Sequence, residues 1–67
     1  MVTRLEEVRL EKGFSINEVT NRVGISNMSY YRYAQGKRKP PIDVAQKLAS
    51  TLNTTVEKLF PVDNDKK

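Results

Sequence analysis

Five cations, Arg22, Arg32, Lys37, Arg38 and Lys39, fall in a stretch from Val19 to Ile42 that contains no carboxylate. The rest of the chain holds seven Lys and Arg against eight Asp and Glu, so the net charge of +4 resides on this interval. One-sided clustering of Lys and Arg marks a surface for a polyanion. The plain alternative is a basic face that is merely solvated. Other chemistry is poorly supplied. There is no His and no Cys, which removes the commonest general base, the commonest metal ligands and any disulfide. No Gly-rich phosphate loop and no paired-carboxylate pocket is evident. No enzyme activity, no cofactor and no metal is therefore expected.

The elements that must carry those cations lie between Ser15 and Gly36. Ser15 and Glu18 have the S-x-x-E spacing of a capping box, which satisfies free backbone N–H groups at a helix start. Val19 and Val23 share one face of the helix that follows. Gly24 ends it, because glycine takes a left-handed conformation cheaply, and Ile25 plugs the corner. Ser26 caps a second helix. Tyr30 and Tyr33, three apart, face back toward the first helix of the pair. Thr20 stands where the two helices cross most closely. This is the pattern of a helix-turn-helix, whose second helix can enter a DNA major groove. An αα-hairpin that only builds a core has the same spacings.

Around this pair the helical pattern continues. A first helix is expected over Thr3 to Lys12, with Thr3 and Glu6 as another capping box, Val2, Leu5 and Val8 on its inner face and Gly13 as its stop. Arg9 is open to two readings, a partner for a neighbouring glutamate or a contact to phosphate. After Gly36 comes the basic loop Lys37-Arg38-Lys39, closed by two prolines, with Pro41 as the first residue of the next helix. Ile42 to Leu52 forms a fourth helix with an apolar stripe of Ala45, Leu48, Ala49 and Leu52. Thr55 caps a short fifth helix, Val56 to Phe60, ended by Pro61. The fold class is all-α: a compact bundle of five short helices forming one domain, residues 1–61, with a short polar tail over 62–67. At 67 residues the core is marginal, and dimerisation would add to it. No apolar run approaches a membrane span. Val2 to Val8 is interrupted by Arg4, Glu6 and Glu7, so it is not read as a signal peptide. A cytoplasmic chain with no membrane partner is expected.

The chain resembles the Cro/lambda-repressor-like helix-turn-helix family over about Thr3 to Phe60. The resemblance rests on EKGFS at 11–15, on Val23-Gly24-Ile25-Ser26, on Gln35-Gly36-Lys37-Arg38-Lys39-Pro40 and on LNTTVEKLF at 52–60. It implies groove-facing, base-contacting positions at Asn27, Met28, Tyr31 and Arg32. By residue chemistry, Arg32 suits guanine O6 and N7, Asn27 suits adenine, and Met28 suits a thymine methyl. Phosphate contacts are assigned to Asn17, Ser26, Gln35, Lys37, Arg38 and Lys39. The chain departs from the family at four places. Ile16 stands where glutamine is common, so Asn17 or backbone N–H groups must serve there. Thr20 replaces the usual alanine. Ala34 replaces a glutamate that often pairs with an arginine at the place of Arg9, which leaves Arg9 freer. Tyr30 and Tyr33 replace smaller aliphatics, so their hydroxyls need partners or water.

The function implied is a sequence-specific regulator of transcription, a repressor that binds double-stranded DNA with a two-fold operator as a homodimer. The dimer interface is expected around Leu52, Val56, Leu59 and Phe60, since the apolar residues there exceed what a short terminal helix needs. Control by protein concentration, or by an anti-repressor or toxin partner, is the accompanying expectation. The alternative is a protein-interaction module, an antitoxin or adaptor that uses the same bundle.

Overall fold

Helix boundaries in this chain follow from its caps. The computed structural model describes residues 3–61, in the order α1 (Leu5–Lys12), α2 (Ile16–Val23), α3 (Asn27–Ala34), α4 (Ile42–Thr51) and α5 (Val56–Leu59). The Ser15–Glu18 capping box forms in full: the Ser15 hydroxyl accepts from Glu18 N–H at 3.1 Å, and the Glu18 carboxylate accepts from Ser15 N–H at 2.9 Å. Ser26 caps α3 through Ser29 N–H, and Thr55 caps α5 through Lys58 N–H. At the far end of α3, Gly36 has φ 76°. Its N–H donates to Tyr33 O and the Lys37 N–H donates to Arg32 O, the paired bonds of a Schellman ending. Asn53, with φ 54°, closes α4 the same way through Thr54 N–H to Ala49 O.

One expected cap does not form. The residue before α1 is Arg4, which makes no side-chain cap bond. Thr3 instead donates its hydroxyl to the Ala34 carbonyl, tying the entry of α1 to the end of α3. Its partner Glu6 is used elsewhere, as described below. Pro41 precedes α4 as its cap residue instead of beginning it. Val2 and the 62–67 tail lie outside the described residues.

The core is one cluster. Leu5 and Val8 of α1, Val19 and Val23 of α2, Tyr30 and Tyr33 of α3, Leu48 and Ala49 of α4, Leu52 and Leu59 are all buried within it. Phe14, Ile16, Ile25, Val44, Val56 and Phe60 pack against its edge. Each fully buried leucine contributes about 1.5–3 kcal/mol. The burial corrects one expectation. Leu52 and Leu59 are 0% exposed within a single chain, so neither offers a side chain to a second copy. A terminal helix of four residues places one apolar side chain inward per turn, and Leu59 is that residue. Val56 and Phe60, half-buried, remain at the surface edge.

Candidate nucleic-acid interface

Tyr30 and Tyr33 turn inward, which sets the phase of α3. Tyr30 is fully buried and Tyr33 nearly so. Successive helical residues differ by about 100°, so Asn27, Met28, Tyr31 and Arg32 form the opposite strip, and all four are exposed. Met28 is 61% and Tyr31 46% exposed. The two lie beside the polar Asn27 and Arg32 on one exposed face. The Tyr31 ring stands edge-on to Tyr30, with centroids 5.9 Å apart, so the buried ring steadies the exposed one.

The basic loop continues that strip. Lys37, Arg38 and Lys39 are exposed. Their backbone is held: Lys37 and Arg38 both donate N–H groups to the Arg32 carbonyl, at 3.0 and 3.3 Å, and Pro40 is buried behind them. Three cations are thus fixed relative to the helix, while their side chains stay free in water. Gln35, at the C-terminus of α3, is exposed between the two groups. At the other edge lie Ser26 and Asn17, both exposed. Ser26 has its hydroxyl engaged in the cap and with Ser29 Oγ.

The two helices meet through a chain of polar contacts. Asn27 donates from Nδ2 to Asn17 Oδ1 at 3.1 Å. The Thr20 hydroxyl donates to Asn27 Oδ1 at 2.9 Å, with the Asn17 carbonyl at 3.2 Å beside it. Thr20 stands at the helix crossing, as its spacing implies, and there takes a polar role that its spacing does not reveal. A contact over seven residues across a turn depends on the crossing geometry, and spacing carries no signal for it. Arg22, a cation of the acid-free interval, lies over the Phe14 ring at 5.3 Å. Phe14 follows α1, so this stack packs α2 against the end of that helix and engages one of the five cations.

Of the two readings of Arg9, the pairing with a neighbouring glutamate is the one the structure shows. Arg9 is 8% exposed and is not free for phosphate. Its Nη2 donates to Glu6 Oε2 at 2.6 Å, its Nη1 to the Phe14 carbonyl at 2.6 Å, and its Nε to the Tyr30 hydroxyl at 3.0 Å. Tyr30 in turn donates its hydroxyl proton to Glu6. The partner missing at Ala34 is supplied from one turn earlier on the same helix, and the larger Tyr30 brings a hydroxyl that completes the set. Hydrogen bonding from Arg9 holds the Glu6 carboxyl below its ordinary range, against a smaller opposing effect of burial. Burial, reinforced by the adjacent Glu6 carboxylate, pushes the Tyr30 phenol well up. Tyr30 is therefore neutral and donating at all ordinary pH values. No buried polar side-chain atom among the described residues lacks a partner.

An open cleft of about 610 Å³ lies away from this strip, between α1 and the α4–α5 turn, and is lined by Arg4, Glu11, Lys12 and Lys58 among others. None of the α3 or loop residues lines it. Among the described residues no cluster of acidic side chains is placed to hold a metal ion, and no helix is long and apolar enough to cross a membrane.

The chain is similar along most of its length to proteins of known kind. It is 31% identical over 65 residues to an HTH-type transcriptional regulator of Archaeoglobus fulgidus, covering 97% of this chain and 93% of that protein. It is 30% identical over 63 residues to the HTH-type transcriptional regulator AnsR of Bacillus subtilis, covering 94% of this chain and 54% of AnsR, so it spans about half of that relative. Its fold matches the N-terminal DNA-binding domain of SinR from Bacillus subtilis with a TM-score of 0.76 at 22% identity, over 92% of this chain and 91% of the SinR chain. The sequence model of the helix-turn-helix family matches residues 5–59. With five helices in the family's order and a capped α2–α3 pair at its centre, the chain belongs to the Cro/lambda-repressor-like helix-turn-helix family.

Proposed function

We propose that this chain regulates transcription in the cytoplasm by binding double-stranded DNA in a sequence-specific manner, as a repressor that occupies a two-fold operator as a homodimer. The observation that carries this reading is the outward strip of α3. Asn27, Met28, Tyr31 and Arg32 are exposed together on a helix whose inner face is locked by two buried tyrosines. In the proposed complex Arg32 pairs with guanine, Asn27 with adenine, and Met28 with a thymine methyl. Asn17, Ser26, Gln35, Lys37, Arg38 and Lys39 contact phosphates and fix the register. Two copies would bind half-sites about one helical turn apart, roughly 34 Å, with Val56 and Phe60 at the chain–chain contact. An anti-repressor or toxin that releases the protein from DNA fits the same scheme.

Selection of the purified chain on randomised double-stranded DNA tests the reading. Enrichment of a two-fold site, with two chains per duplex in sedimentation, is expected. Arg32→Ala should then lose preference at one base pair per half-site, about 1–3 kcal/mol of discrimination, while the melting temperature stays nearly unchanged. Uniform, sequence-independent binding by the unaltered chain would leave only a basic surface.

A further inference from the structure

Thr20 is 3% exposed and lies behind the strip of α3, so it cannot touch DNA itself. Its hydroxyl lies 2.9 Å from Asn27 Oδ1 and 3.2 Å from the Asn17 carbonyl oxygen. With Oδ1 turned to Thr20, Asn27 Nδ2 faces Asn17 and donates to its Oδ1 at 3.1 Å. Asn17 Oδ1 is thereby turned inward and its NH₂ group outward. A carboxamide has two donor protons on nitrogen and two acceptor sites on oxygen. After these bonds Asn27 retains one donor and one acceptor, the complement of adenine N6–H and N7. Asn17 presents donors only, the polarity that phosphate oxygens require.

Among the described residues, Thr20 is the only buried polar neighbour that holds the Asn27 carboxamide on its inner side, with Asn17 on the other. We propose that Thr20 is a positioning residue that anchors the Asn27 carboxamide beside Asn17 and so holds it in the orientation in which Asn27 reads a base. The proposal rests on the reading of Asn27 as a base-contacting residue.

The test uses the whole chain with three substitutions, Thr20→Val, Thr20→Ser and Asn27→Ala, and a duplex carrying the selected site with each base pair varied. Valine keeps the branched shape and removes the proton donor, and serine restores it. Thr20→Val should reduce preference at the base pair read by Asn27 by about tenfold, within the span of one bidentate contact, and Thr20→Ser should keep it. In the free protein, the side-chain NH₂ resonances of Asn17 and Asn27 should broaden or lose order in Thr20→Val and sharpen again in Thr20→Ser. If Thr20→Val weakens binding to every duplex alike, or retains ordered Asn27 NH₂ resonances, Thr20 is only a packing residue and the proposal is overturned. If Asn27→Ala leaves every base preference intact, the reading of Asn27 fails, and the positioning role goes with it. If Asn27→Ala loses the preference and Thr20→Val does not, the positioning role alone is overturned.

Discussion

The Arg9 guanidinium on α1 donates to the Tyr30 hydroxyl on α3 at 3.0 Å, in a site where both residues are buried. This contact joins the N-terminal helix to the helix that bears the exposed strip. Glu6 completes it from the solvent side, accepting from both. The outward face of α3 is therefore oriented by what its inward face meets.

Removing the Tyr30 hydroxyl should separate packing from polar anchoring. Tyr30→Phe deletes two hydrogen bonds, one from Arg9 and one to Glu6. Arg9 keeps Glu6 and the Phe14 carbonyl, and Glu6 reaches water, so the loss is about 1.5–3 kcal/mol, the scale of one bond to a charged group. Tyr33→Ala empties a ring-sized space in the core and should cost about 3–5 kcal/mol. In denaturant titrations the first variant should remain folded and the second should be largely unfolded. Similar, small losses for both would mean that α3 does not use this face to hold the fold.

Acid should weaken the same site. The Glu6 carboxyl is held below its ordinary value of 4.5, chiefly by hydrogen bonding from Arg9. A depressed carboxylate binds its proton more readily in the unfolded chain. Its contribution is thus fully present above the unfolded value and is lost as pH falls through the lower folded value. Glu6→Gln should be less stable than the unaltered chain near neutral pH, with the difference shrinking as pH falls below 4.5 and lost below the lower folded value. Glu18, also held low by the Ser15 backbone N–H, is present in both proteins and cancels. A difference that persists unchanged at low pH would assign the effect to shape and not to charge.

The loop is expected to contact backbone, not bases. Replacing Lys37, Arg38 and Lys39 with alanine should weaken binding to all duplexes and flatten the log–log salt dependence by about 0.9 per lost phosphate contact. Base preferences should survive. An unchanged slope removes the loop from the interface.

Gly24 offers a test of the turn that is independent of DNA. Its φ is 85°, and nothing lies within 4 Å of an added Cβ. Gly24→Ala should therefore cost only the left-handed backbone penalty, roughly 1–2 kcal/mol, with base preference retained. A much larger loss in a denaturant midpoint would point to a steric role for the glycine.

Much of this protein is legible in its sequence because the deciding signals are local. The capping box at Ser15 and Glu18, the cap at Ser26 and the stops at Gly24 and Gly36 involve residues a few positions apart, and backbone hydrogen bonding alone fixes what they do. The inward phase of Tyr30 and Tyr33 follows from 3.6-residue periodicity together with the apolar face of α2. The same arithmetic turns Asn27, Met28, Tyr31 and Arg32 outward. The tertiary structure decided the contacts that span helices. Thr3 left its own helix for the Ala34 carbonyl because α3 ends beside it. Arg9 was drawn inward because Tyr30 brings a hydroxyl from 21 residues away. Leu59 went to the core because α5 folds back on α4, where the Leu59 carbonyl accepts from Arg4 N–H at 2.8 Å. Thr20 met Asn27 across the turn of the motif. Each of these depends on the angle and distance between helices, which summed packing of the whole core determines and no short window of sequence contains.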